Sequence, residues 1–432
     1  MSQTTLVCKP EIYDLIVRTT NFTAGWICDI LYKHDPSFKQ KFGSGKEIIG
    51  KVEAFDLQKD NGFAAKVFKT TLFLENSETP FHSCIVKVPN KEGYEKLMAK
   101  MYENKKPDGK NDEIDSFLNH LLLIHDNECR FYEHFGKVSG FTVPEAFYME
   151  KIDQAKGQTG LIVMEDLSKG AKVQGFLPSL RVDQVKKLVE CIARFHAYQL
   201  VQPNPKWVGT FSKGQTNHTI HLETCKGINN VKAYNNGIYA KQIDELEKVF
   251  FNYESKCYLV EGICDELGIP KLVNLGDFHS NNVLFKIEED DLISNQIVSI
   301  IDFQAAFEGS PALDLARLIV VSLDAEIRRE VETFIFDFYM ENLTKHMKTF
   351  NKTPPFDVKT LKKVYEFAFL YQCHAVIMVP PYFKALVQAE TDPEKKHIIE
   401  AQVAKLELRG LLALEDALTI VDKYKSHWSI KV

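Results

Sequence analysis

The stretch Lys271-Leu-Val-Asn-Leu-Gly-Asp-Phe-His-Ser-Asn-Asn-Val-Leu-Phe285 sets a polar run between two apolar ones. Further on, a second strand-like run, Ile297-Val-Ser-Ile-Ile301, delivers Asp302 at its end. A hairpin therefore separates Asp302 from Asp277 and Asn282. Phosphoryl transfer needs a set of this kind: one carboxylate to meet the attacking hydroxyl, and an amide oxygen with a second carboxylate to hold Mg2+ across the β- and γ-phosphates. A Gly-Asp pair alone means little, since aspartates commonly cap turns. Three such residues, each at a strand boundary, make a much narrower pattern. On this reading Asp277 orients an acceptor hydroxyl and takes its proton late, while Asn282 and Asp302 chelate Mg2+. The barrier then falls mainly through positioning and charge neutralisation.

Two neighbours of this set have readings of their own. His279 either lends a proton or positive charge to the γ-phosphate or hydrogen-bonds the loop, and the loop role needs no catalytic task. Asp314, in Pro311-Ala-Leu-Asp-Leu-Ala-Arg317, reads as a helix cap or a brace for the loop.

Upstream, the first third of the chain reads as strands. Ile48 to Leu57 and Phe63 to Leu74 flank the turn cluster Lys59-Asp-Asn-Gly62, and Ser83-Cys-Ile-Val-Lys-Val88 makes a third strand ending at Pro89. A helical pattern follows from about Ile114 to Phe135, then strands near Ala146 and at Gly160-Leu-Ile-Val-Met164. Lys87 sits inside the apolar third strand. A lone lysine there is usually exposed, but a phosphate-binding lysine is expected on the third strand of a kinase, with a helical carboxylate to fix it. Glu128 is that carboxylate. The loop over the phosphates is expected between the first two strands, around Asp60 to Phe63 with Gly62, although no GxGxxG is present. Gly43-Ser-Gly45 reads as a plain turn.

After Asp166-Leu-Ser-Lys-Gly170 the pattern turns helical, with helices expected over 181–200, 237–267, 313–323, 325–348, 358–378 and 393–425. Thr391-Asp-Pro-Glu394 offers a cap and a proline at the first helical position. The expected organisation is a helical extension over 1–40, a nucleotide-binding lobe over 41–166 and a larger helical lobe over 167–432. The fold class is α+β: a protein-kinase-like, two-lobed fold with a small antiparallel β-sheet lobe and a mainly helical one, adenine lying in the cleft against the crossover.

Composition agrees with a chain of more than one core. The 432 residues are 45% hydrophobic and 26% charged, with a net charge of -6, which argues against a general nucleic-acid binder. Nine cysteines without CxxC spacing read as reduced, buried thiols and not as a zinc or disulfide framework. No apolar leader and no membrane-length run is seen, so a cytoplasmic location is expected and the sequons at Asn21, Asn217 and Asn342 read as chance. The residues specify no oligomeric state.

Taken together, Glu128-x-x-Phe-Tyr132, Leu161-Ile-Val-Met-Glu-Asp-Leu-Ser168, Ala193-Arg-Phe-His-Ala197, Leu275 to Leu284, Ile301-Asp-Phe-Gln304 and Pro311 to Ala316 resemble the choline/aminoglycoside kinase-like superfamily. Within it, the chain resembles the CHK kinase-like (ecdysteroid-kinase-like) group. The resemblance implies ATP- and Mg2+-dependent phosphorylation of a small-molecule alcohol, sterol-like or choline-like. It implies Lys87 and Glu128 as the phosphate-binding pair, Met164, Glu165, Asp166 and Leu167 as the adenine-contacting crossover, Asp277 as the base and Asn282 and Asp302 as metal ligands. One residue departs: Leu275 stands where the family has a histidine under the catalytic loop. The alternative is therefore a pseudokinase that binds nucleotide without turnover.

Other readings fare worse. A metallophosphoesterase would carry further histidine ligands, and a protein kinase would need an activation loop between Asp302 and Pro311. The aromatic stretch from Tyr365 to Phe383 reads first as core. Pro380 to Phe383 could alternatively form a lip of the acceptor pocket, favouring a lipophilic alcohol.

Overall fold

The computed structural model describes residues 7–18, 20–42, 47–57, 65–90, 93, 112–211 and 214–425. Gly62, the loop around it and the turn at 43–45 lie outside the described residues. The chain divides into two compact units, one of 1–136 with 144–169, the other of 137–143 with 170–432.

The smaller unit is built on a five-stranded antiparallel sheet of order β1-β2-β3-β5-β4. Its strands are β1 (Ile49–Asp56), β2 (Ala65–Leu74), β3 (Pro80–Pro89), β4 (Ala146–Glu150) and β5 (Leu161–Glu165). Helices α1 (Ala24–His34) and α2 (Pro36–Lys41) precede the sheet, and α3 (Asp112–Phe135) lies between β3 and β4 in the chain. Strand alternation sorts the two faces of β3. Cys84 and Val86 are fully buried in the core formed with Ile27, Leu31 and Phe38 of the two N-terminal helices. Lys87 faces the other way. Asp35 caps α2, its carboxylate accepting from the N–H groups of Ser37 and Phe38.

The larger unit is mainly helical. A three-stranded sheet of β6 (Ala171–Val173), β8 (Val283–Ile287) and β9 (Ile293–Ile300) and a two-stranded pair of β7 (Leu272–Asn274) and β10 (Phe307–Gly309) are set among α4 (Val182–Val201), α5 (His218–Lys232), α6 (Leu313–Ser322), α7 (Ala325–Glu332), α8 (Ile335–Lys348), α9 (Val358–Met378), α10 (Pro380–Ala389) and α11 (Pro393–Lys423). Helix α4 packs on α8, and α9 on α6 and α11. Inside α4, His196 is wholly buried with its Nδ1 2.7 Å from the Tyr339 hydroxyl, so the Arg-Phe-His motif serves the core. Asp392 caps α11 with Pro393 at its first position, as the sequence suggests.

Two expected helices prove to be broken. The segment 237–267 is a series of short helical pieces: Asn252 caps a new turn at Tyr253–Cys257, and a π-helical turn follows at Tyr258–Gly262. The asparagine side chain competes with the backbone ladder and restarts it. The helix expected over 325–348 breaks at Thr333 and Phe334, where Phe334 adopts φ -131° and the Thr333 hydroxyl donates to the Glu330 carbonyl at 2.7 Å. The architecture is α+β and kinase-like in its order: an antiparallel sheet with one helix between its third and fourth strands, then a helical unit with an embedded hairpin. Among the described residues no helix is long and apolar enough to cross a membrane.

Candidate active site

In the smaller unit, Lys87 Nζ meets Glu128 Oε2 at 2.6 Å, with both side chains largely buried. A lysine aimed away from the core on β3 and a glutamate on α3 thus form one ion pair, so neither is a free surface charge. At the end of β5 the polar side chains are already engaged. The Asp166 carboxylate accepts from Ser83 Oγ at 2.6 Å and the Ser168 N–H at 3.0 Å, and pairs with Lys69 Nζ at 3.1 Å. Burial acts to raise its pKa, but these donors outweigh it and hold it below the usual range. Met164 is buried, its sulfur 3.8 Å from the Tyr132 hydroxyl. Glu165 is exposed and Leu167 half-buried. Across 164–167, then, the Asp166 carboxylate is taken up by its own partners.

The larger unit brings the Asp277 set together, and its backbone explains how. Gly276 has φ +82°, and a Cβ there would stand 2.0 Å from the Ala305 carbonyl oxygen. Only glycine allows this approach, which lays the turn after Asp302 against the Asp277 loop. The β8–β9 pairing aligns Val283 with Ile300, and the Ile301 N–H donates to the Asn282 carbonyl at 3.0 Å. Asn282 and Asp302 are consequently held at the same end of one hairpin. Asp302 itself has φ +67°, a left-handed conformation costly for a residue with a side chain. Asn282 Nδ2 donates to the Asp277 carbonyl at 2.9 Å and lies 3.4 Å from Asp277 Oδ2. With its amide nitrogen so used, its Oδ1 is the atom left to face a cation.

Asp277 is held on its other side by charge. Arg317, on α6, reaches Asp277 Oδ1 with Nη2 at 2.5 Å and Nε at 3.2 Å, and His279 Nε2 lies 3.1 Å from the same oxygen. Burial alone would raise this carboxyl, but the charges and N–H groups of His279 and Arg317 hold it well below the usual carboxylate range. Oδ1 is thus occupied by Arg317 and His279, while Oδ2 takes the long 3.4 Å contact from Asn282 Nδ2. His279 accepts the Asn281 N–H at Nδ1, 3.3 Å away, which leaves Nε2–H to donate to Asp277. Its ring lies tilted against that of Phe176, centroids 4.4 Å apart, and is nearly fully buried. In this geometry His279 hydrogen-bonds the loop backbone at Asn281 and faces Asp277.

Asp314 is the brace. Its two oxygens accept the Leu275 N–H at 2.7 Å and the Gly276 N–H at 3.1 Å, and burial pushes its pKa up to about 7 against the pull of these donors. Leu275 is 2% exposed. The loop is thus anchored through backbone donors that leucine supplies as well as histidine does. Two residues escaped the sequence reading. Arg317 looks like the polar face of α6, and its pairing with Asp277 spans 40 positions. Gln372, on α9, accepts from Arg317 Nη1 at 3.2 Å and fixes its far end. Only the adjoining Asp-Leu-Ala-Arg spacing hints that Arg317 and Asp314 share one helical face.

The donors suit Mg2+. Among the described residues no group of three or more His, Cys, Asp or Glu side chains forms a metal cage, but Mg2+ on a nucleotide takes one or two protein oxygens and completes its shell with phosphate and water.

The order of the elements is that of a kinase-like α+β fold. The chain belongs to the DUF1679 family, whose profile is described as "Uncharacterized oxidoreductase dhs-27" and matches residues 38–423. It is 23% identical over 329 residues to the Caenorhabditis elegans protein of that name, a match covering 74% of this chain and 37% of the relative. This chain thus spans little more than a third of that relative's length. It is also 25% identical over 319 residues to the "Uncharacterized kinase-like protein D1044.1" of the same organism, covering 69% of this chain and 80% of that one. Among solved structures it is similar to the GDP complex of wild-type aminoglycoside 2'-phosphotransferase-IIIa (TM-score 0.41, 12% identity, 91% of this chain and 98% of that one). A microcompartment-associated aminopropanol kinase gives a TM-score of 0.38 at 13% identity, again with 91% and 98% covered. Likeness at that level fixes neither activity nor substrate.

Proposed function

We propose that this chain is an ATP- and Mg2+-dependent phosphotransferase acting on a hydroxyl group of a small-molecule alcohol, of the CHK kinase-like (ecdysteroid-kinase-like) kind. The observation that carries the reading is the joint placement of Asp277, Asn282 and the Asp302 turn around Gly276.

When bound, Mg2+ would neutralise charge on the β- and γ-phosphates, with Asn282 Oδ1 and Asp302 as its protein ligands. In the smaller unit Lys87, fixed by Glu128, is the cation for the α- and β-phosphates, and residues 164–167 receive the base. Asp277 Oδ2 accepts the acceptor hydroxyl and holds its oxygen on line. Because Arg317 and His279 keep Asp277 ionised, it is a poor base in the ground state and takes the proton only as the new P–O bond forms. A loose transition state asks for this order, since little nucleophile activation is needed.

The acceptor wall supports a lipophilic alcohol. Phe383 of α10 packs 6.1 Å from Phe176, which itself covers His279. Pro380 to Phe383 thus serve as the lip of an apolar acceptor surface, and a sterol-like alcohol fits better than a choline-like cation beside Arg317. The pseudokinase alternative rests on Leu275, and the Asp314 brace weakens it.

The test is 31P NMR of the full chain with ATP, Mg2+ and a panel of sterols, choline and ethanolamine. A new phosphate-ester signal is expected, with its rate falling roughly a thousandfold in Asp277→Asn. ATP binding without ester for any acceptor would favour the pseudokinase. An undiminished rate in Asp277→Asn would remove Asp277 from its role.

A further inference from the structure

Apart from the Asp277 loop, the larger unit has a small, partly open cavity of about 20 Å3 lined by Lys256, His221, Thr224, Tyr371 and His374 among apolar neighbours. A void of this size holds one water or one compact ion. Lys256 stands on the helical turn Tyr253–Cys257 and is 5% exposed. Among the described residues no salt bridge or hydrogen bond meets its ammonium, and the groups its charge couples to are the thiols of Cys225 and Cys257 and the imidazoles of His221 and His374. Burial pushes its pKa down to about 8, so it is still largely a cation at neutral pH. Buried charges are ordinarily paired, since an isolated one is strongly unfavourable.

No other group lining the cavity relieves that charge. None of the lining residues is acidic. The Tyr371 hydroxyl donates to Gln215 Oε1, the Thr224 hydroxyl donates to the Ile220 carbonyl at 2.8 Å, and His374 Nδ1 meets the Tyr371 carbonyl. His221 Nε2 lies 3.2 Å from the Phe251 carbonyl. Both imidazoles are held below their usual range, first by burial and then by nearby positive charge, with His374 down to about 3. A cation without a counter-ion, in a void sized for one small ion and walled by neutral groups, asks for an anion.

We propose that this cavity binds one compact anion, halide- or carboxylate-sized, seated on the Lys256 ammonium. It adjoins the phosphotransfer machinery through α9: Gln372 accepts from Arg317, and the charges of Arg317 and Lys256 both act on His374. The anion therefore has two sources, free in solution or carried as an acidic group by the acceptor. The second source rests on the phosphotransfer reading; the site itself does not.

The experiment is thermal unfolding of the full chain with sodium bromide or sodium acetate titrated in, ionic strength being held by a sulfonate too bulky for the void. A saturable rise of a few degrees is expected, absent in both Lys256→Met and Lys256→Gln. Bromide-soaked crystals of the wild type should place an anomalous peak against Lys256 Nζ, which keeps the test independent of how the variants fold. No saturable rise together with no peak, or a rise unchanged in both variants, overturns the proposal. The source is read from ADP release with paired alcohols of like size, with and without a carboxylate. A roughly tenfold preference for the acidic member, lost in Lys256→Gln, assigns the anion to the acceptor, and a bromide response without that preference assigns it to solution. An intact bromide response with no ADP release for any alcohol keeps the site and removes the phosphotransfer reading.

Discussion

The Asp277 loop and the Lys256 cavity lie in the same helical unit and treat charge in opposite ways. Around Asp277 every charge is met: Arg317 and His279 on Oδ1, Asn282 on its backbone, and Asp314 on the two N–H groups just before it. Around Lys256 the walls are neutral and the ammonium faces a void. A charge fixed from several sides is pre-organised machinery, whose geometry is set before any ligand arrives. A charge left unmet is held in place by packing alone and is completed by what binds. The two regions should therefore respond differently to loss of a partner.

The largest effect is expected where the matching is tightest. Arg317→Met should slow phosphoryl transfer by roughly a hundredfold, because it frees Asp277 to rotate and leaves its carboxylate without its main cation. Its signature is a rise in the lower pKa of the rate profile, which mere loss of stability would not produce. If kcat and that pKa both stay put, the matched region is not machinery. Gly276→Ala should come next, costing at least about 2 kcal/mol of stability in urea unfolding, since the new Cβ meets the Ala305 carbonyl in a left-handed backbone. A neutral outcome would mean that the turn after Asp302 does not lie against the loop.

Asp314 sharpens the comparison through pH. Its folded carboxyl keeps its proton up to about pH 7, while the unfolded one loses it near pH 4. Between those values the folded state binds more protons, so stability from this residue falls as pH rises from about 4 to about 7 and is flat above. Asp277 has the opposite sign: its folded pKa is depressed, so its contribution is present above about pH 4 and is lost as pH falls below. Urea unfolding across pH 4.5 to 7.5 should show a shallower downward trend in Asp314→Asn than in wild type. The smallest effect belongs to the unmatched region: without halide, Lys256→Met should melt no lower than wild type, because it removes a charge that has no partner. A clear loss of stability there would reveal a counter-ion within the protein.

The sequence made legible what is local. The alternation of β3 sets Lys87 apart from Cys84 and Val86, the hairpin from Val283 to Ile300 places Asn282 beside Asp302, and Asp392-Pro393 starts α11. What it hid is long in range. Arg317 reads as a surface charge until α6 is packed beside the loop, and Gln372 is one polar residue in an aromatic run. Lys256 lies within the helix expected over 237–267, which Asn252 instead restarts as the short turn Tyr253–Cys257. The breaks themselves depend on side-chain caps that helical periodicity does not register. Gly62 and the loop expected over the phosphates lie outside the described residues.

The central claim is a magnesium-nucleotide site built on Asn282 and Asp302. Calorimetric titration of ATP into the full chain, with Mg2+ and with EDTA, tests it most directly. Binding that needs Mg2+ and weakens at least roughly tenfold in Asp302→Asn is the predicted result. Binding of equal strength with and without Mg2+, unchanged in Asp302→Asn, would contradict it.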